Sequence, residues 1–223
     1  MRPSRIIGEC ERVNVAVIIV GINQWEEYTL PLVRSIEKHE PDVDIFVVDN
    51  YSDPSYIGND CYLVRTHERV CYSAAINAGY VGMELALRDP DWTIILNNDV
   101  KCLGPFVDTL EWMHRGTLYG NQFITFKDLR WLGLWLFVIS REVREAVGKF
   151  DEKFNVCGFD DADYCFRAAA AGFEIRKSNL PFQHYWGKTR WDIPNYKDTR
   201  QENLKYLEEK HGVSLAGEWE VFN

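Results

Sequence analysis

Apolar runs that stop abruptly at polar tips set the rhythm of the first hundred residues. Residues 13–20 (VNVAVIIV) are β-branched and almost wholly apolar, as in a strand buried on both faces, and they end at the turn-forming Gly21-Ile22-Asn23. Tyr28, Leu32 and Ile36 then recur at helical spacing, with Pro31 tolerated in a first turn and Pro41 closing the pattern. A second strand over 43–48 stops at Asp49-Asn50, and a short third strand covers 61–65. An Ala- and Leu-rich helix over 73–87 leads to a fourth strand at 92–96, tipped by Asn97-Asn98-Asp99. Strands joined through helices predict parallel pairing, because parallel neighbours need crossovers. Ligands of open α/β sheets gather at the carboxyl ends of such strands, so the polar tips are the first candidates for chemistry.

The second half has a looser rhythm. Residues 106–114, after Gly104-Pro105, read as a helix, and 116–130 fit no single period. Residues 131–139 (WLGLWLFVI) are the most apolar stretch and predict one buried strand, far too short to span a bilayer. Ser140 is a fitting N-cap for a short helix ending at Gly148, and 160–171 predict a further helix stopped by Gly172, with 173–175 returning as a strand. From Gln183 the chain turns polar and aromatic, and 197–210 predict a surface helix. The expectation is one α/β domain over residues 1–190, with halves of about 1–100 and 101–190, and a partly helical C-terminal extension over 191–223.

Composition narrows the function classes. The 223 residues are 46% hydrophobic and carry a net charge of −9, which supports a real core and argues against a broad nucleic-acid or anionic-membrane footprint. Six scattered cysteines without a CxxC pair read as reduced thiols. The first residues lack an apolar leader and no run of 18 apolar residues occurs, so the expectation is a cytoplasmic protein without a membrane span, with room for peripheral membrane association.

Several polar groups follow a strand or open a helix: Asp49, Asp99, the Asp160-Asp161 pair and His184. Any one alone is equally well a cap or turn former. Asp99 and His184 together make an oxygen-plus-nitrogen pair for Mn²⁺ or Mg²⁺, with substrate phosphates supplying further ligands; the plainer reading of His184 is a histidine bonded among Phe182, Tyr185 and Trp186. Capping accounts for one carboxylate at a helix start but less well for Asp160, Asp161 and Asp163 together. Crowded like charges raise each other's proton affinity, as suits a general base. Lys188 and Arg190 fit either a diphosphate or a solvated surface. Trp131, Trp135, Tyr185, Trp186 and Trp191 are either core or stacking platforms.

These motifs, in this order, resemble the family-two glycosyltransferases with the GT-A fold, over about residues 13–190. VNVAVIIVGIN resembles the family's opening strand and nucleotide-contacting turn, and IFVVDNYSD its second strand. SAAINAGY resembles the AxxNxG segment, IILNNDV the strand carrying DxD, VGKFDEKFNVCGFDDADYCF the GxFDE and ED segments, and FQHYWGKT the closing HxxG. The resemblance implies a Rossmann-like sheet with helices on both faces and inverting transfer from a nucleotide-diphosphate sugar, a UDP-sugar foremost. Asp161, with Asp160 beside it, would be the base; Asp99 and His184 would hold a divalent metal; Gly21, Asn23, Asp49, Asn77, Asn97, Lys188 and Arg190 would face the donor. The chain departs from the family pattern at Asn97 for the first Asp of DxD, at Arg69 and Cys71 for an Asn and a Gly, and at Gly21 for a Pro or Thr. Acceptors from saccharide and lipid-linked sugar to protein and modified base stay open. So do two rivals, a nucleotidyltransferase of similar fold and a non-catalytic nucleotide-sugar- or carbohydrate-binding module.

Overall fold

A computed structural model describes residues 13–58, 61–126, 129–185 and 196–215. Its spine is a seven-stranded sheet, and the apolar runs are its centre. β1 (Val15–Gly21) lies between β2 (Asp44–Asp49) and β4 (Trp92–Asn97), parallel to both. β3 (Tyr62–Arg65) extends that edge beyond β2. On the other side β9 (Leu136–Ser140) runs antiparallel to β4 and to β6 (Thr117–Gly120), and β10 (Glu174–Lys177) closes the sheet parallel to β6. The sheet is therefore mostly parallel, with one reversed strand.

Each face carries its own core. Ala16, Ile18 and Val20 of β1 pack with residues of α2 (Tyr72–Leu85), α4 (Arg141–Val147) and α5 (Asp160–Ala170). Val15, Val17 and Ile19 point the other way, onto α1 (Leu30–His39) and α3 (Val107–Glu111). Continuous apolar strands are what a sheet covered on both faces requires. A π-helical turn, Trp25–Thr29, leads into α1, where Pro31 sits in the first turn as the sequence requires. The Ser140 hydroxyl caps α4 by accepting from Val143 N at 3.2 Å.

Two expectations need correcting. Residues 131–139 do not form one strand: β8 (Leu129–Leu132) pairs with β7 (Phe123–Phe126) in a separate hairpin, the chain turns after Gly133, and β9 starts at Leu136. The Gly133 N–H donates to Gln122 O at 3.0 Å, so the turn is bonded across the base of the hairpin. The helix expected over 106–114 shortens to α3, whose first amides are capped by the buried Glu40 carboxylate, 2.6 Å from Phe106 N and 2.8 Å from Val107 N. The surface helix expected over 197–210 is α6 (Tyr196–His211), which exposes Gln201, Glu202, Lys205 and Glu209 and buries Asn203 and Leu207 against the body of the protein. Among the described residues no helix is long and apolar enough to cross a membrane.

Candidate active site

The strand registers bring the polar tips together. Gly21 pairs with Asp49, and Val20 with Asn97, so β1, β2 and β4 end side by side at one edge. Asp49 is fully buried there. One oxygen accepts from Ser52 N at 2.8 Å, the other from Tyr56 N at 3.1 Å and from the Arg65 guanidinium. Arg65 also donates to Ser52 O at 3.0 Å and lies 5.5 Å from the centroid of the half-exposed Tyr51 ring. Asp49 thus organises the 50–56 loop and holds an arginine and an aromatic ring at the carboxyl edge of β2. Asn23, left-handed at φ 52°, braces the same loop, its N–H donating to Ser52 Oγ at 2.7 Å and its Oδ1 accepting from Asp53 N at 3.0 Å. A Cβ on Gly21 would fall 2.6 Å from Tyr56 Oη and 3.2 Å from Asn98 Nδ2, so only glycine lets β1 approach this polar thread.

Asn77 braces another part of the fold. Its amide accepts from Phe150 N at 3.0 Å and donates to Phe150 O at 2.9 Å and Glu152 Oε1 at 2.8 Å. It clamps α2 to the GKFDE segment.

Asp99 and His184 are 85 residues apart and in direct contact, Nε2 to Oδ1 at 3.0 Å. The antiparallel pairing of β5 (Val100–Cys102) with β11 (Phe182–His184) makes the meeting, with Val100 opposite His184, and Tyr185 N donates to Asp99 O at 2.9 Å. The His184 ring stacks on Trp135, centroids 5.1 Å apart and planes within 1°. A cleft of about 530 Å³ opens beside them, lined by Asn121, Trp135, Ser178 and Gln183 among others.

Asp160 and Asp161 open α5 behind a loop in which Phe159 has φ 66°. Asp160 Oδ1 accepts from Gly158 N at 3.1 Å, while its buried Oδ2 has no hydrogen-bond partner among the described residues. Asp161 Oδ1 accepts from Ala162 N at 2.8 Å. Burial pushes both carboxyls well above the usual carboxylate range, and the charge of Asp160 raises Asp161 further; Arg200 and the Trp131 indole work against that rise. Asp163 does different work. It is fully buried and meets Arg167 at 2.9 Å, Lys210 at 2.6 Å and His211 at 2.8 Å, so its charge is neutralised and ties α5 to α6.

Tyr72, which the sequence pattern did not single out, joins the two acidic groups. Its hydroxyl donates to Asn97 Oδ1 at 2.7 Å. Burial first, and then the charges of Asp160, Asp99 and Asp161 among others, hold its phenol well above the ordinary tyrosine range. The Tyr72 N–H also donates to Val156 O at 2.7 Å, so this one residue bonds both the β4 tip and the loop that leads to Asp160 and Asp161. Lys188, Arg190, Trp186 and Trp191 lie outside the described residues.

The donor set at Asp99 and His184 suits a divalent ion. One carboxylate oxygen and one imidazole nitrogen match Mn²⁺ or Mg²⁺, and their 3.0 Å separation is close to the roughly 3 Å between adjacent ligands of an octahedral shell with bonds of 2.0–2.1 Å. Among the described residues no cluster of three His, Cys, Asp or Glu gathers as a metal site, so the remaining ligands would have to come from elsewhere.

No family model matches the chain, and no curated protein matches its sequence. Solved structures do match in fold. GalNAc-T7, solved with UDP, GalNAc and Mn²⁺, superposes with a TM-score of 0.62 at 14% identity over 79% of this chain and 44% of its own. The mannosyltransferase PcManGT from Pyrobaculum calidifontis, solved with GDP-Man and Mn²⁺, gives 0.56 at 18% identity over 75% of this chain and 55% of its own. The catalytic domain of Drosophila beta1,4galactosyltransferase 7, complexed with xylobiose, gives 0.54 at 15% identity, covering 82% and 74%. The chain spans roughly half the length of the first two. What these likenesses establish is the architecture: the chain has the GT-A fold of these glycosyltransferases.

Proposed function

We propose that the protein is an inverting glycosyltransferase that moves a sugar from a nucleotide diphosphate, a UDP-sugar foremost, to an acceptor hydroxyl. The observation that carries this reading is the bridge made by Tyr72, whose hydroxyl bonds Asn97 at the β4 tip, two residues before the Asp99–His184 pair, and whose N–H bonds Val156 in the loop that leads to the Asp160–Asp161 pair. Glycosyl transfer has work for both, a charge-stabilising group at the leaving diphosphate and a base at the acceptor.

In the reaction the acceptor oxygen attacks the anomeric carbon from the face opposite the diphosphate. The new C–O bond forms as the sugar–phosphate bond breaks, and that electron pair leaves with the nucleoside diphosphate. Asp161 takes the acceptor's proton. Its raised proton affinity suits it to hold that proton until products part. Asp99 and His184 would hold a divalent metal, which when bound supplies Lewis-acid stabilisation of the departing diphosphate. The base of the nucleotide fits against Tyr51 and Arg65 in the loop that Asp49 organises. Asn97, its carbonyl oxygen taken by Tyr72, turns amide N–H groups to the donor and is a hydrogen-bond donor rather than a metal ligand. Lys188 and Arg190 are the cations proposed for the diphosphate. The cleft beside Trp135 and His184 is the proposed acceptor side, and the proposed setting is cytoplasmic.

The test is a panel of UDP- and GDP-sugars incubated with and without Mn²⁺. Metal-dependent release of nucleoside diphosphate is expected. Release of pyrophosphate would indicate nucleotidyl transfer, and donor binding without turnover a binding module; either result contradicts the proposal.

A further inference from the structure

The loop that delivers Asp160 and Asp161 does not hold itself. Val156, Gly158 and Phe159 have φ of 55°, 106° and 66°, and a β-branched valine in the left-handed region is strained. Such strain persists where surrounding contacts over-determine the backbone.

Those contacts come from α2, whose Tyr72 N–H donates to Val156 O at 2.7 Å, and above all from α6. Asn203, 2% exposed, spends its whole amide on this loop: Nδ2 donates to Asn155 O at 2.8 Å, Gly158 O at 3.1 Å and Cys157 O at 3.3 Å, and Oδ1 accepts from Asn155 N at 2.9 Å. One turn earlier, the Arg200 guanidinium lies 5.4 Å from the ring centroid of Phe159, the residue before Asp160, and its stem runs beside Gly158. Both ends of the loop are tied to the same helix. Tyr206 and Lys210 meet Asp151 at 2.8 and 2.6 Å, and Lys210 and His211 meet Asp163.

We propose that α6 is a positioning element of the Asp160–Asp161 pair, with Asn203 fixing the loop backbone and Arg200 holding Phe159, the residue before the pair. The functional half of this proposal rests on the glycosyltransferase reading; the structural half does not. The groups around Asp161 are Asp160 and Cys165 on its own helix, Trp131 from β8, Tyr72 from α2 and Arg200 from α6. Arg200 is the cation in that set. A helix that merely stabilised the fold would lower activity and global stability together, without moving a pH profile.

The experiment uses the full chain and three variants, Asn203→Ala, Arg200→Gln and Arg200→Lys. In Asn203→Ala, amide hydrogen exchange over 155–160 is expected to speed up at least about tenfold while β1 and β4 amides keep wild-type rates. Calorimetric affinity for UDP with Mn²⁺ stays within about twofold, and transfer falls about tenfold or more. In Arg200→Gln, the acid limb of the rate profile moves up by about one pH unit, and Arg200→Lys restores most of it. Unchanged loop exchange in Asn203→Ala, or an acid limb that stays in place in Arg200→Gln, overturns the proposal. A wild-type chain that binds nucleotide yet transfers no sugar would defeat the glycosyltransferase reading alone, and loop exchange would still decide whether α6 is the clamp.

Discussion

At the residue scale the two carboxylate sites would divide the chemistry of the proposed transfer. Asp161→Asn should cut transfer about 10²- to 10⁴-fold, the usual contribution of a general base, while donor binding is kept. Because burial and the Asp160 charge raise the proton affinity of Asp161, the wild-type rate should fall on acidification at a pH above the ordinary carboxylate range. Asp160→Asn removes the like charge and should move that acid limb downward, as rate profiles of the two proteins at saturating donor will show. His184→Ala should raise the Mn²⁺ concentration needed for donor binding, and calorimetry that finds no shift would leave His184 a purely structural partner of Asp99. Asp99 is readable as a candidate because it follows an apolar run, and His184 because its segment resembles the closing HxxG element. Tyr72 is not, since a tyrosine at the start of an alanine-rich helix carries no mark until α2 brings its hydroxyl to Asn97. Asp163 misled for the complementary reason. Three acids in four positions imply crowding, but the cations that neutralise the third come from Arg167 on the same helix and from α6, some 48 residues away.

Elements were legible where their faces agree with the core. The all-apolar β1 needs covering on both sides and has it, and the Ser140 cap and Pro31 fix two helix starts without tertiary help. The run over 131–139 failed because hydrophobicity says what is buried, not which strand pairs with which. Its first residues pair with β7 and its last with β4 and β6, a division set by long-range register around Gly133. Gly79 marks a close approach of α2 to the sheet, where a Cβ would meet Ile18 Cγ2 at 2.6 Å and Val48 Cγ2 at 3.2 Å. Gly79→Ala should therefore destabilise by about 1–3 kcal/mol, an overpacking cost that outweighs the helix propensity gained and that urea unfolding will report.

At the scale of the whole molecule, α6 turns an expected appendage into part of the scaffold. Its Lys210 and Tyr206 hold Asp151, whose carboxyl is lowered to about 2 even though partial burial opposes the shift. A depressed carboxylate contributes stability in full above its unfolded pKa and loses it as pH falls through the folded value. The contribution of Asp151, about 2 kcal/mol at neutral pH, should therefore fade between roughly pH 4 and pH 2, and Asp151→Asn should flatten that part of the stability profile.

The central claim is that this fold carries a sugar-transfer site in which Asp161 is the base. It is tested most directly by measuring Mn²⁺-dependent transfer to an acceptor for wild type and Asp161→Asn, with donor affinity determined for both by calorimetry. The account predicts equal donor affinity and a loss of transfer of at least about a hundredfold in the variant; transfer at the wild-type rate in Asp161→Asn would contradict it.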